Sequence, residues 1–70
     1  MTMDEEGLIR QLQGLKQGGV TLRTYAEIEL MFPPGIEDDN VKRKLVQLAS
    51  DCDCTINNQP GYQNVKFTKR

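Results

Sequence analysis

Two cysteines stand close together and are the first residues to consider for chemistry. Cys52 and Cys54 lie in the run Asp51-Cys52-Asp53-Cys54, and the chain contains no histidine. Two thiolates in a Cys-x-Cys arrangement can supply two metal ligands, but a structural zinc site uses four. A metal would therefore need a site shared by two subunits or completed by carboxylates. We instead expect Cys52 and Cys54 to be small buried hydrophobic residues, with no metal and no cofactor. A disulfide between them is not expected either, because it would be strained.

Motifs of catalysis give no support to an enzyme. The sequence has no histidine to act as a general base and no Gly-x-Ser-x-Gly elbow. It also has no glycine loop that would bind a phosphate, because Gly18-Gly19 follows a predicted helix instead of preceding one. The run Glu37-Asp38-Asp39 lacks the alternating ligands of a calcium loop. A chain of 70 residues also has a thin core with little room for a substrate pocket. We expect a protein that acts by binding and is not an enzyme.

The basic residues are concentrated late in the sequence. Residues 1–40 contain eight acidic and three basic residues, whereas residues 41–70 contain two acidic and six basic residues. The first part therefore has a net charge of −5 and the second a net charge of +4. Because the whole chain has a net charge of only −1, any attraction to nucleic acid must come from a local patch.

The elements that position these residues follow from the apolar pattern. Apolar residues at helical spacing predict a first helix over residues 4–17, capped by Thr2 or Asp4 and stopped by Gly18-Gly19. A second helix is predicted over residues 22–32, and Thr24 with Glu27 fits a capping box at its start. Val20 before this helix is expected to be extended, either as a short strand or as a hydrophobic staple.

A third helix and a hairpin are predicted in the second half of the chain. Asp38 or Asp39 caps this helix, which continues to about Ser50. Its predicted apolar stripe consists of Val41, Leu45 and Leu48, flanked by Val46 and Ala49. From Cys52 the apolar period changes from near 3.6 to near 2, which predicts a strand. A turn over residues 58–61 and a second strand over residues 62–68 complete a β-hairpin.

This order of elements resembles the winged helix, a variant of the helix-turn-helix group. The resemblance covers Leu8 to Lys69 and rests on the glycine-stopped first helix, the threonine-led second helix and the third helix that runs directly into the hairpin. It implies one α+β domain over residues 1–70, with three helices and a C-terminal two-stranded β-hairpin, the wing. In that group the third helix usually enters the major groove of DNA, while the wing contacts the backbone or the minor groove.

The resemblance implies that the basic end of the chain faces DNA. Arg43 would make a bidentate contact to guanine, and Lys42 or Lys44 would contact phosphate. The full set of expected DNA-binding residues is Asn40, Lys42, Arg43, Lys44, Gln47, Lys66, Lys69 and Arg70. We expect a small DNA-binding transcriptional regulator that binds double-stranded DNA as a homodimer.

Two other interpretations remain open at this point. Lys42, Arg43 and Lys44 can simply be the solvated face of a helix, since Asp38 and Asp39 just before them would repel phosphate. Alternatively, the chain is a protein-interaction module, such as a small inhibitor or adaptor of a mobile element, that docks through its acidic N-terminal half. We expect a cytoplasmic location without a membrane anchor, because no apolar run approaches the length of a membrane span and the N-terminus is acidic.

Overall fold

The computed structural model describes residues 5–70, and these residues form an α+β fold with three helices and a three-stranded antiparallel sheet. The predicted class is therefore confirmed. The order along the chain is α1 (Glu5–Gln13), β1 (Val20–Thr24), α2 (Tyr25–Met31), α3 (Asp39–Asp51), β2 (Cys54–Gln59), a short 3₁₀ turn (Pro60–Tyr62) and β3 (Asn64–Lys69). Thr2 and Asp4, the predicted caps of the first helix, lie outside the described residues.

The sheet has three strands where the sequence predicts a hairpin of two. Its strand order is β1-β3-β2, and β3 pairs antiparallel with both neighbours. Phe67 of β3 lies opposite Thr21 of β1 on one side and Ile56 of β2 on the other. The strand that comes last in the sequence, β3, is therefore the central strand. Strand β1 pairs with it although most of the chain lies between the two strands in the sequence.

The second helix begins three residues later than predicted, because Val20–Thr24 is a strand. The residues of this strand that face inward, Thr21 and Arg23, are buried, while Leu22 between them is exposed. The predicted capping box then starts α2: the Thr24 hydroxyl accepts from the Glu27 amide at 3.2 Å, and the Thr24 amide donates to Glu27 Oε1 at 2.9 Å. The box is confirmed, and only the helical residues predicted before it are wrong.

The first helix is shorter than predicted and ends at Gln13. The Gly14 amide makes the last α-helical bond, to the Arg10 carbonyl at 3.0 Å, and the Leu15 amide already bonds three residues back, to Leu12. Glycine lowers helix stability by about 1 kcal/mol relative to alanine, which explains why the helix stops there and not at Gly18. Gly18 instead adopts a left-handed φ of 82° in the loop that leads into β1.

The change from α3 to β2 occurs two residues later than predicted. Cys52 caps the C-terminus of α3, Asp53 has a left-handed φ of 58°, and the strand begins at Cys54. Cys52 and Cys54 therefore do not alternate along one strand, although both are buried as predicted. An aspartate tolerates the left-handed conformation better than most residues do, so the chain changes direction from α3 into β2 at Asp53.

The helices pack on one face of the sheet. Val65 and Phe67 of β3 are fully buried there against α1, α2 and α3. The other buried residues of the same core cluster are Leu8, Leu12, Ile28, Phe32, Val41, Leu45, Leu48, Ala49, Cys52 and Cys54. The alternate residues of the strands form the opposite face, here called the outer face, which includes Leu22, Lys66 and Asn57 side by side. Within residues 5–70, no helix is long and apolar enough to cross a membrane.

Candidate nucleic-acid interface

Helix α3 is defined by a cap and a buried stripe. The Asp38 carboxylate accepts hydrogen bonds from the amides of Asn40 and Val41, at 2.9 and 3.1 Å, which satisfies two of the unpaired N–H groups of the first turn. Val41, Leu45, Leu48 and Ala49 then pack into the core. The opposite side of the helix is left in solvent.

The exposed side of α3 presents Arg43 at its centre. Successive residues of an α-helix are rotated by about 100°, so Lys42 and Lys44 lie at either edge of the exposed arc with Arg43 midway between them. All three side chains are exposed. The ion pair found within residues 5–70 joins Arg10 to Glu6, so these three cations have no carboxylate partner in the described part of the chain.

Carboxylates lie near both ends of helix α3. Asp39 is exposed in the first turn of α3, and Asp51 in the last turn accepts a hydrogen bond from Gln47 Nε2 at 2.8 Å. The side-chain amide of Gln47 is therefore hydrogen-bonded within its own helix. The side chain of Asn40 is exposed. The positive region is consequently limited to the middle turns of the helix, around Arg43.

No family model, curated protein or solved structure matches the chain. The functional assignment therefore depends on these residues and their arrangement.

The eight predicted contact residues do not form one surface. Asn40, Lys42, Arg43, Lys44 and Gln47 lie together on the exposed side of α3. Lys66 lies on the outer face of the sheet, beside Leu22 and Asn57. Because α3 packs against the opposite face, the sheet separates Lys66 from Arg43.

Lys69 and Arg70 lie at the other end of the molecule from the start of α3. The Lys69 ammonium donates to the carbonyl oxygens of Cys52 at 2.8 Å and Leu12 at 3.2 Å, so it binds the C-terminal ends of α3 and α1. A cation is favourable there because the helix dipoles are negative at this end. Arg70 is exposed, and its backbone amide donates to the Asp53 carbonyl at 3.0 Å.

The tip that connects β2 and β3 is uncharged. From Asn57 to Asn64, the end of β2, the turn and the start of β3 contain no acidic or basic residue, and Tyr62 at the tip is 79% exposed. Strand β2 runs beside the N-terminal half of α3, since Asn58 and Ile56 line one groove with Lys42 and Val46. The amide groups of the tip can donate and accept hydrogen bonds, but they attract no phosphate by charge.

One residue of this surface was missed by the sequence analysis. Val46 flanks the buried stripe of α3 in the sequence pattern, yet its side chain is 54% exposed, close to Arg43 on the exposed arc. A helical projection centred on the buried residues would have found it, because Val46 lies about 100° from Leu45 and Ala49 lies closer to the core side.

The two cysteines lie outside this surface. Both are free thiols, and the Cys54 thiol donates to the Cys52 carbonyl at 3.5 Å. Burial raises the pKa of the Cys52 thiol, Cys54 and Asp51 raise it further, and Lys69 acts in the opposite direction. The part of the chain described contains no group of three or more histidine, cysteine or carboxylate residues that could hold a metal ion.

Proposed function

We propose that this protein is a winged-helix-like, non-enzymatic transcriptional regulator that binds double-stranded DNA through the exposed side of α3. The observation that carries the proposal is the position of Arg43 between Lys42 and Lys44 on that side, with no carboxylate partner in the described residues. The arrangement of α3, followed directly by two paired strands whose connecting tip is uncharged, supports the winged-helix assignment.

The arrangement of the three cations suits the major groove. A helix with its side chains is about 10–12 Å wide and the groove is about 12 Å wide, so an inserted helix has one phosphate strand on each flank. Lys42 and Lys44 would then meet phosphates of opposite strands, while Arg43 would face the base edges. An arginine in that position makes two parallel hydrogen bonds to O6 and N7 of guanine.

The proposal also includes the number of copies and the location. Three cations on one helix provide few phosphate contacts, so two copies on neighbouring half-sites would supply the affinity that one lacks. A cytoplasmic location is compatible with the free thiols of Cys52 and Cys54, because reducing compartments keep cysteines unpaired.

Salt-dependent duplex binding tests the proposal. We expect the intact protein to bind a pool of randomised duplexes at low salt, with an affinity that falls as salt is added, because each neutralised phosphate releases counterions. Replacing Lys42 and Lys44 together by glutamine should lower the slope of log K against log salt by about 2, or about 1 for each lost phosphate contact. Fluorescence anisotropy with labelled duplexes measures both quantities.

Two single variants serve as controls in the same titrations. Lys16→Gln removes an exposed charge from the loop after α1, and Lys66→Gln removes the charge of a half-buried lysine on the outer face. Both should leave the slope unchanged. Equal losses for the controls and for the double variant would mean that net charge alone drives binding, and absence of binding to any duplex at low salt would rule out the proposed function.

A second candidate is supported by one surface feature of α2. Leu30 is 79% exposed, and Glu29 beside it is exposed as well. An exposed leucine next to carboxylates fits a basic, partly apolar surface of a partner protein. This interaction module would bind no duplex, so the titrations above distinguish it from the first candidate.

A further inference from the structure

Val46 is an apolar residue within a basic surface. Its side chain is 54% exposed, although its neighbour Leu45 is fully buried. By helical rotation it lies about 40° from Lys42 and about 60° from Arg43 on the exposed arc. Val46 therefore belongs to the surface that the proposed function directs toward DNA, between two of its cations.

We propose that Val46 contacts the C5-methyl group of a thymine in the major groove, next to the guanine contacted by Arg43. This inference rests on the proposed function and adds the base that α3 recognises. The cations on both sides of Val46 favour a negatively charged counterpart, and DNA is one. Among the base edges of the major groove, the thymine methyl is the apolar group that a valine can contact.

The spacing along the helix restricts where this thymine lies. Arg43 and Val46 are three residues apart, which corresponds to a rise of about 4.5 Å at 1.5 Å per residue. Successive base pairs are about 3.4 Å apart. A helix that follows the groove therefore places the two side chains over base pairs one or two steps apart, and the recognised sequence contains a thymine within two base pairs of a guanine.

The shape of valine suits such a contact. A valine in a helix has one strongly preferred χ1 rotamer, so its two methyl groups are fixed before binding and little side-chain entropy is lost. On the side away from Arg43, Val46 lines the groove between α3 and β2 together with Ile56 and Ile36. These residues limit the directions in which the valine can move away from an approaching base.

The experiment removes the C5-methyl group of thymine on one side of the contact and the two γ-methyl groups of Val46 on the other. A site is first selected from randomised duplexes with the intact protein, and each of its thymines is then replaced in turn by deoxyuridine, which lacks only the C5-methyl group. We expect one replacement to weaken binding roughly fourfold, the equivalent of one buried methyl group. Val46→Ala should weaken binding to the thymine duplex by a similar factor, and in this variant the same replacement should have no further effect.

Leu30→Ala is the matched control, since it shortens another exposed apolar side chain on a different helix; it should retain the full deoxyuridine effect. Alanine is a better helix former than valine, so Val46→Ala should keep its fold, which circular dichroism checks. An equal deoxyuridine effect in the wild type and in Val46→Ala overturns the inference. A selected site without a thymine within two base pairs of a guanine, or a pool that yields no preferred site, overturns it as well.

These outcomes leave the proposed function standing if duplex binding still depends on Lys42 and Lys44. If no duplex binds at all, the proposed function fails together with the inference. Val46 would then belong to a protein-docking groove with Ile36 and Ile56.

Discussion

Residues of the same type have different roles in this protein, and their surroundings decide which. Lys42 and Lys69 are both lysines of the basic C-terminal part. The Lys42 side chain is exposed and its ammonium has no hydrogen-bond partner in the described residues, whereas the Lys69 ammonium binds two carbonyl groups at the ends of α1 and α3. Lys69 therefore joins three elements, and its charge offsets the negative ends of two helix dipoles.

The thiol of Cys52 gives stability a dependence on alkaline pH. Its pKa is raised above the ordinary value, chiefly by burial, so the unfolded chain releases this proton at a lower pH than the folded chain does. The contribution of the thiol to stability is complete below the unfolded pKa of about 8.5 and is lost as the pH rises above it. We expect the free energy of unfolding to fall as the pH rises above about 8.5, as measured by urea denaturation.

Cys52→Ala separates this effect from the titration of other groups. The variant should show a smaller fall over the same pH range, after its stability at pH 7 is taken as the reference. A fall as steep as that of the wild type would show that other groups cause it.

At the level of elements, the sequence predicts what depends on neighbouring residues and misses what depends on distant ones. The Thr24–Glu27 capping box, the Asp38 cap and the buried stripe of α3 are local patterns, and all three were found. Beyond Val20, strand β1 was missed because it exists only through pairing with β3, where Leu22 lies opposite Lys66. Nothing in the five residues of β1 indicates that partner.

The residues of the candidate site also differ in whether local sequence could place them. The five residues on α3 could be placed together from the sequence, because one helix with a known buried side fixes them all. Lys66 and Lys69 could not be placed, because the face of a strand residue depends on strand pairing and on which face the helices cover. Arg23 shows the same limit: it is buried on the inward face of β1 and bonds to Gln11 of α1 and to the Leu22 carbonyl.

The cap of α3 provides a test at the level of this element. Asp38→Ala removes the acceptor for two backbone amides and should destabilise the protein by about 1 kcal/mol. Asp39→Ala, one residue later, removes only a first-turn charge from the dipole and should cost a few tenths of a kcal/mol. Urea denaturation compares the two variants, and equal losses would contradict the capping role of Asp38.

In the whole molecule, the strand order makes the fold depend on β3. Both other strands pair with β3 and not with each other. Val65 and Phe67 of this strand are fully buried and connect the sheet to all three helices. The N-terminal elements therefore lack both a sheet and much of a core until β3 is in place.

Removal of residues 64–70 should consequently abolish the fold and not merely weaken it. The shortened chain loses two fully buried side chains and the pairing partner of β1 and β2, and a domain of this size has little stability to spare. We expect thermal unfolding followed by circular dichroism to show no cooperative transition. Removal of Arg70 alone is the control, since this exposed residue contributes one backbone hydrogen bond, to Asp53; it should leave a cooperative transition with a slightly lower Tm. A cooperative transition in the chain that ends at Gln63 would mean that α1, α2 and α3 fold without the sheet, contrary to the central position of β3.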